Sequence, residues 1–96
     1  LRHFNRLVED LSLKEVPGRL AAYIIYLSGS KGGAEEVALS ITKGQLASLL
    51  GTIPETISRI LGKMGSQGII AVHGRRIKIL KRQVLQDISE SGKYFL

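Results

Sequence analysis

Residues 42–67 read TKGQLASLLGTIPETISRILGKMGSQ, and this segment predicts two short helices joined by a turn. Thr42 suits the N-cap of a first helix, KGQLASLL, because its side-chain oxygen can accept a backbone N–H of the first turn. Gly51 is predicted to end that helix, since glycine readily adopts the left-handed conformation found just after a helix. Pro54 suits the first turn of a second helix, where its missing N–H needs no partner. That second helix is predicted to run to about Gln67.

Each of these helices carries an apolar stripe on one side. Two helices joined by a short turn that contains glycine form the helix-turn-helix motif. Ala47 is small and is predicted to lie where the two helices approach each other. The inner stripe of the first helix is predicted to consist of Leu46, Leu49 and Leu50. The inner stripe of the second helix, at helical spacing, is Ile57, Ile60, Leu61 and Met64.

The opposite side of the second helix carries Glu55, Ser58, Arg59, Gly62 and Lys63, at steps of three and four. Arg59 can form a bidentate pair with guanine O6 and N7, and Glu55 can accept a hydrogen bond from cytosine N4. The alternative is that Glu55 only supports the start of the helix and pairs with Arg59 one turn later. The preceding helix, the Gly51 turn and the basic segment described next favour base reading.

The chain has 96 residues, which suits one domain, and a net charge of +6. Residues 43–82 hold eight Lys and Arg with Glu55 as the single acid, so this segment carries +7 and the remainder nearly cancels. A localised basic surface indicates a polyanion as partner, whereas a merely solubilising surface is the alternative. The clustering favours nucleic acid.

Two short apolar runs, Ile69 to Val72 and Ile77 to Leu80, flank a basic turn and predict a β-hairpin. The tip of this hairpin is predicted to lie beside the DNA backbone, where contacts position a protein without specifying sequence. The start of the first helix and the sides of the second provide further phosphate contacts. The predicted backbone contacts are Thr42, Lys43, Thr56, Lys63, His73, Arg75 and Arg76.

The remaining segments complete a small α+β domain. Ser28 to Ala34, SGSKGGA, is predicted to be a loop, because it lacks the spacing and the Lys-Ser/Thr ending of a phosphate-binding P-loop. Glu36 to Ile41 is predicted to be a short strand. Lys81 to Glu90 is predicted to be a last helix that turns Val84, Leu85 and Ile88 inward.

The start of the chain is predicted to contain two helices. Leu1, Phe4, Val8 and Leu11 recur at spacings of three and four, which is the pattern of a helix–helix seam, although ten residues do not establish a coiled coil. A new helix is predicted from Val16 to Leu27, with Pro17 in its first turn. Its core side is predicted to carry Leu20, Tyr23, Ile24 and Leu27.

The stretch from Leu13 to Leu80 resembles the C-terminal domain of the bacterial CRP/FNR regulators. The most specific part is Glu-Thr-x-x-Arg, here Glu55 to Arg59, with Ser58 resembling the FNR-like branch. The resemblance implies that Glu55 and Arg59 read a G·C pair of a TGA-containing half-site and that Ser58 also contacts a base. Cyclic-AMP-type members often carry arginine just before the glutamate. That arginine contacts a second guanine in those members. Pro54 stands at this position here, so the second guanine contact is not expected.

The resemblance also implies a winged helix-turn-helix with a three-helix core and a small antiparallel β wing. Residues 1–12 would then be the end of a dimerisation helix with Leu1, Phe4, Val8 and Leu11 at the dimer interface, residues 13–90 the DNA-binding domain, and residues 91–96 a tail. We expect a cytoplasmic homodimer that binds double-stranded DNA. An N-terminal effector domain outside this segment would control that binding, and RNA polymerase is a candidate further partner. No membrane association and no cofactor in this segment are expected, and the effector stays open.

Two other classes of function fit these residues less well. A winged helix can serve as a protein-interaction or architectural module, but the basic hairpin and Arg59 argue against this. An enzyme is disfavoured because the chain has no cysteine and no histidine–carboxylate pair that the sequence places together. The absence of cysteine also fits a reducing cytoplasm.

Overall fold

The computed structural model describes residues 2–91, and side chains from residue 16 to residue 91. Four helices and three strands within these residues confirm the α+β class and the winged helix-turn-helix fold. The elements are α1 (Arg2–Ser30), β1 (Glu36–Ala38), α2 (Lys43–Leu50), α3 (Pro54–Ser66), β2 (Ile70–His73), β3 (Arg76–Ile79) and α4 (Arg82–Ser91).

The α2–turn–α3 unit forms as the sequence predicts. Thr42 is the N-cap of α2: its side chain accepts from the backbone N–H of Gln45, and the Gln45 side chain accepts from the backbone N–H of Thr42. These reciprocal bonds form a capping box, which satisfies two N–H groups that a helix start leaves without partners. Gly51 follows α2 with φ 79, in the left-handed region, and Pro54 occupies the first turn of α3.

The sheet has the strand order β1–β3–β2, and both pairings are antiparallel. The hairpin β2–β3 confirms the predicted wing, with His73 opposite Arg76 and Gly74 at φ 64 in the turn between them. Side chains of β3 alternate between exposed and buried, so one face of the sheet packs on the core. The strand predicted from Glu36 to Ile41 is shorter than expected and ends at Ala38.

The core collects apolar side chains from all four helices and the sheet. All four predicted inner residues of α3 are buried, namely Ile57, Ile60, Leu61 and Met64. Two other predictions were wrong: Leu49 is 61% exposed, and Val84 is 38% exposed. The buried face of α2 consists instead of Leu46, Ala47 and Leu50, because the packing of α2 against its neighbours turns Leu49 outward.

Helix α1 is continuous over 29 residues, so the predicted start of a new helix at Val16 was wrong. A proline inside a helix removes one hydrogen bond and clashes with the preceding turn, at a cost of about 3 kcal/mol. Val16, Pro17 and Leu20 are fully buried here, and this burial helps to offset that cost. Tyr23 and Leu27 are only partly buried, whereas Leu20 and Ile24 lie in the core as predicted.

The proposed seam at Phe4, Val8 and Leu11 lies outside the described side chains, and Leu1 lies outside the described residues. The division into residues 1–12, 13–90 and 91–96 stays a prediction. Within the described part of the chain, no helix combines the length and the hydropathy needed to cross a membrane.

Arg82 ties the segment between α1 and β1 to the start of α4. Its Nη2 donates to Ser28 Oγ at 2.7 Å and to the carbonyl oxygen of Ala34 at 3.2 Å. The buried Ser28 hydroxyl in turn donates to the same carbonyl. The predicted loop begins later than expected, after Ser30, because α1 extends to that residue. Within the loop, Arg82 holds the carbonyl oxygens of Gly33 and Ala34.

Arg19 links α1 to the turn of the motif. Its Nη1 donates to the carbonyl oxygen of Leu50 at 3.0 Å. This carbonyl belongs to the last turn of α2, where helices leave oxygens without intrahelical partners and where a positive charge is favourable. Arg19 therefore fixes α1 against the end of α2, next to Gly51.

We expect Gly51→Ala and Gly62→Ala to change stability in opposite directions. A Cβ at position 51 would sit in left-handed backbone, 3.4 Å from Arg19 Nη1, so this variant should lose about 1–2 kcal/mol. A Cβ at position 62 meets nothing within 4 Å, inside α3, and should gain about 0.5–1 kcal/mol from better helix propensity. Urea denaturation of both variants tests this, and a gain at position 51 would contradict it.

Candidate nucleic-acid interface

The outward side of α3 is laid out as the sequence predicts. Glu55, Ser58, Arg59 and Gly62 are exposed, and Lys63 is half-buried. The opposite side of the same helix lies in the core, which holds the helix in place. Thr56 is half-buried between the two sides. The helix therefore presents a polar stripe from a rigid base.

Arg59 and Glu55 are one helical turn apart but do not pair with each other. Among the described residues, neither side chain has a salt-bridge or hydrogen-bond partner. The ordinary pair between positions i and i+4, which was the alternative interpretation, is thus not formed. The Arg59 guanidinium keeps its five N–H donors for an external acceptor.

The start of α2 lies against this stripe. Lys43 Nζ donates to Ser58 Oγ at 3.3 Å. Thr42 Oγ1 accepts from the backbone N–H of Gln45 at 3.1 Å, so its oxygen serves the helix cap. The Thr42 hydroxyl proton remains a donor, and Thr42 and Lys43 are both exposed beside α3.

The two arginines of the wing differ. Arg76 Nη2 lies 3.1 Å from Glu36 Oε1 across β3 and β1, and the two side chains are 67% and 43% exposed. Arg75, in the turn, is exposed and has no salt-bridge partner in the described part of the chain. His73 precedes the turn at the end of β2 and is also exposed. Glu36 therefore offsets part of the predicted positive charge of the wing.

An open groove of roughly 540 Å³ separates α3 from the wing. Its floor and walls combine small residues with the apolar side chains of Leu61, Ile70 and Leu80, and polar groups stand at the α2 end and at the wing. The α3 side presents Ser58, Leu61, Gly62 and Gly65, with Lys43 beside them, and the wing side presents Ala71, Val72 and His73. Neither this groove nor the Lys43–Ser58 and Arg76–Glu36 contacts could be predicted from the sequence, because the residues involved are far apart in the chain.

The fold and this exposed face define a winged helix-turn-helix domain. The Crp-like helix-turn-helix domain matches residues 18–88 of the chain. The anaerobic regulatory protein of Pasteurella multocida is 38% identical in an alignment 97 positions long, which covers 97% of this chain and 36% of that protein. Electron transport regulator A of Shewanella oneidensis is 40% identical in an alignment 87 positions long, which covers 86% of this chain and 35% of that protein.

Solved structures agree with these sequence relatives. The crystal structure of DNR from Pseudomonas aeruginosa matches with a TM-score of 0.74 and 36% identity, over 90% of this chain and 39% of that one. The chain therefore belongs to the Crp-like helix-turn-helix family, and its resemblance to the CRP/FNR regulators is confirmed. It spans about a third of the length of the curated relatives that it matches.

Proposed function

We propose that this chain is the DNA-binding portion of a sequence-specific transcription regulator of the CRP/FNR type. The observation that carries the proposal is the exposed, unpaired Arg59 on a helix whose other side is buried in the core. Arg59, Glu55 and Ser58 read base edges in the major groove. Contacts to the phosphate backbone come from Thr42, Lys43, Thr56, Lys63, His73, Arg75 and Arg76.

The whole protein acts as a homodimer in this proposal. Two copies of α3 enter major grooves about one helical turn apart, so the target is palindromic and contains TGA half-sites. An effector domain outside this chain changes the spacing of the two helices, and RNA polymerase is a further partner in the cytoplasm. Family membership and the fraction of its relatives that the chain covers support this arrangement.

The test is binding of the full-length protein to a palindromic TGA-containing duplex, measured by fluorescence anisotropy at several salt concentrations. We expect tight binding that weakens steeply with salt, and much weaker binding to a scrambled duplex of the same length. If neither duplex showed salt-sensitive binding, a protein-interaction module would replace this proposal.

We expect Arg75→Ala to reduce the salt dependence of binding. A phosphate contact releases about one counterion, so the slope of log K against log salt should fall by about one unit for each bound subunit, on specific and scrambled DNA alike. The matched comparison is Lys31→Ala. Lys31 is exposed but is not among the proposed phosphate contacts, so its loss should leave the slope nearly unchanged. An unchanged slope for Arg75→Ala would remove this residue from the backbone contacts.

A further inference from the structure

The contact between Lys43 and Ser58 joins the start of α2 to the outward stripe of α3. Lys43 Nζ lies 3.3 Å from Ser58 Oγ, and the residues are 15 positions apart in the chain. Both are exposed and both line the groove between α3 and the wing. The fold imposes this approach, because the capping box sets the start of α2 and the Gly51 turn sets the angle to α3.

The chemistry of this pair fixes the roles of its atoms. An ammonium group has three donors and no acceptor, so the Ser58 oxygen must accept from Lys43. No other described side chain or backbone group takes the Ser58 proton, which is therefore left for an external acceptor. A second donor that approached the same oxygen would meet the positive charge of Lys43. The pair therefore presents Ser58 outward as a hydrogen-bond donor.

Bases differ in what they offer to such a donor. In the major groove, guanine presents the acceptors N7 and O6 and thymine presents O4, whereas cytosine presents the donor N4. We propose that Lys43 is a specificity-determining residue that acts through Ser58: it makes the serine favour guanine or thymine over cytosine. This inference rests on the proposed function, and it gives Lys43 a role beyond that of a phosphate contact.

A purely phosphate-binding Lys43 predicts a different result. Backbone contacts carry no sequence information, so their loss weakens binding to every site alike. A positioning Lys43 must instead change the ratio of affinities between bases at the position that Ser58 contacts. The two roles are therefore distinguished by the ratio of affinities for duplexes that differ in one base, and not by the overall loss of affinity.

The experiment uses the full-length protein and duplexes in which each half-site position carries each of the four bases in turn. The position whose preference is lost in Ser58→Ala is the one that Ser58 contacts. At this position we expect wild type to favour guanine or thymine over cytosine, and Lys43→Met to reduce that preference about fivefold, the scale of one ordinary hydrogen bond. Lys63→Met, on the same face of α3, is the matched control and should weaken all four duplexes equally.

The double variant Lys43→Met with Ser58→Ala should show no further loss of preference beyond Ser58→Ala. Thermal melts of each variant show whether a changed preference reflects a changed fold. An even loss across the four bases in Lys43→Met, or a wild-type preference for cytosine at this position, would overturn the inference while leaving the proposed function in place. If wild type discriminated between bases at no position, the proposed function would fail, and this inference with it.

Discussion

Arg59→Ala should weaken binding to the specific site by about 1–3 kcal/mol for each half-site, roughly 5- to 150-fold per half-site, and relax specificity mainly at one G·C pair of the half-site. The guanidinium has no partner among the described residues, so the free protein loses little when it is removed. In the complex, by contrast, the guanine loses two parallel hydrogen bonds that water does not replace in the same geometry. The effect should therefore appear in binding and not in stability.

Arg59→Lys is the control that separates charge from geometry. Lysine keeps the positive charge but lacks the planar fork that matches guanine O6 and N7. We expect this variant to retain nonspecific, salt-dependent affinity and to lose most of the preference for the G·C pair. Affinities for the specific and a scrambled duplex, measured by anisotropy, give both quantities. An equal loss on both duplexes for Arg59→Ala would refute the base-reading role.

Leu46→Ala should lower the free energy of unfolding by about 2–5 kcal/mol, because it removes a fully buried side chain and leaves a cavity. Domains of this size are usually stable by only about 5–15 kcal/mol, so this loss is a large share of the total. Since Leu46 belongs to the helix on which α3 rests, DNA binding should also become sensitive to temperature in this variant.

Leu49→Ala is the matched control, since it is the same substitution in the same helix. Leu49 is 61% exposed, so its truncation should change stability by less than about 0.5 kcal/mol. Urea denaturation followed by circular dichroism measures both variants. If both substitutions lowered the free energy of unfolding by similar amounts, Leu49 would have to be buried in solution, and this would contradict its exposure here.

Pro54 bears on which DNA site is read. It stands immediately before Glu55, where cyclic-AMP-type relatives often carry an arginine that contacts a second guanine. Proline is exposed at this position and has neither a side-chain donor nor a backbone N–H. We therefore expect this end of α3 to contact one base pair fewer than in those relatives. The protein should show little preference among the four bases at that base pair.

The helix-turn-helix and the two faces of α3 could be predicted from local sequence patterns. The N-cap at Thr42, the left-handed Gly51 and the first-turn Pro54 are local signals, because each acts on backbone groups only a few residues away. The four buried residues of α3 followed from helical spacing for the same reason. The candidate base readers Glu55, Ser58 and Arg59 were found as the other face of that helix.

Contacts between residues far apart in the chain could not be predicted in this way, because they depend on how the elements pack together. Arg76 pairs with Glu36 across 40 positions of the chain, and Lys43 reaches Ser58 across 15. Packing also keeps α1 continuous across Pro17, although proline predicted a new helix start there. It places Leu49 at the surface, although helical spacing predicted that this side chain is buried. Such outcomes depend on the summed burial and hydrogen bonding of several elements, which no local pattern contains. The polar stripe of α3 was therefore predictable, whereas the partner that orients Ser58 within it was not.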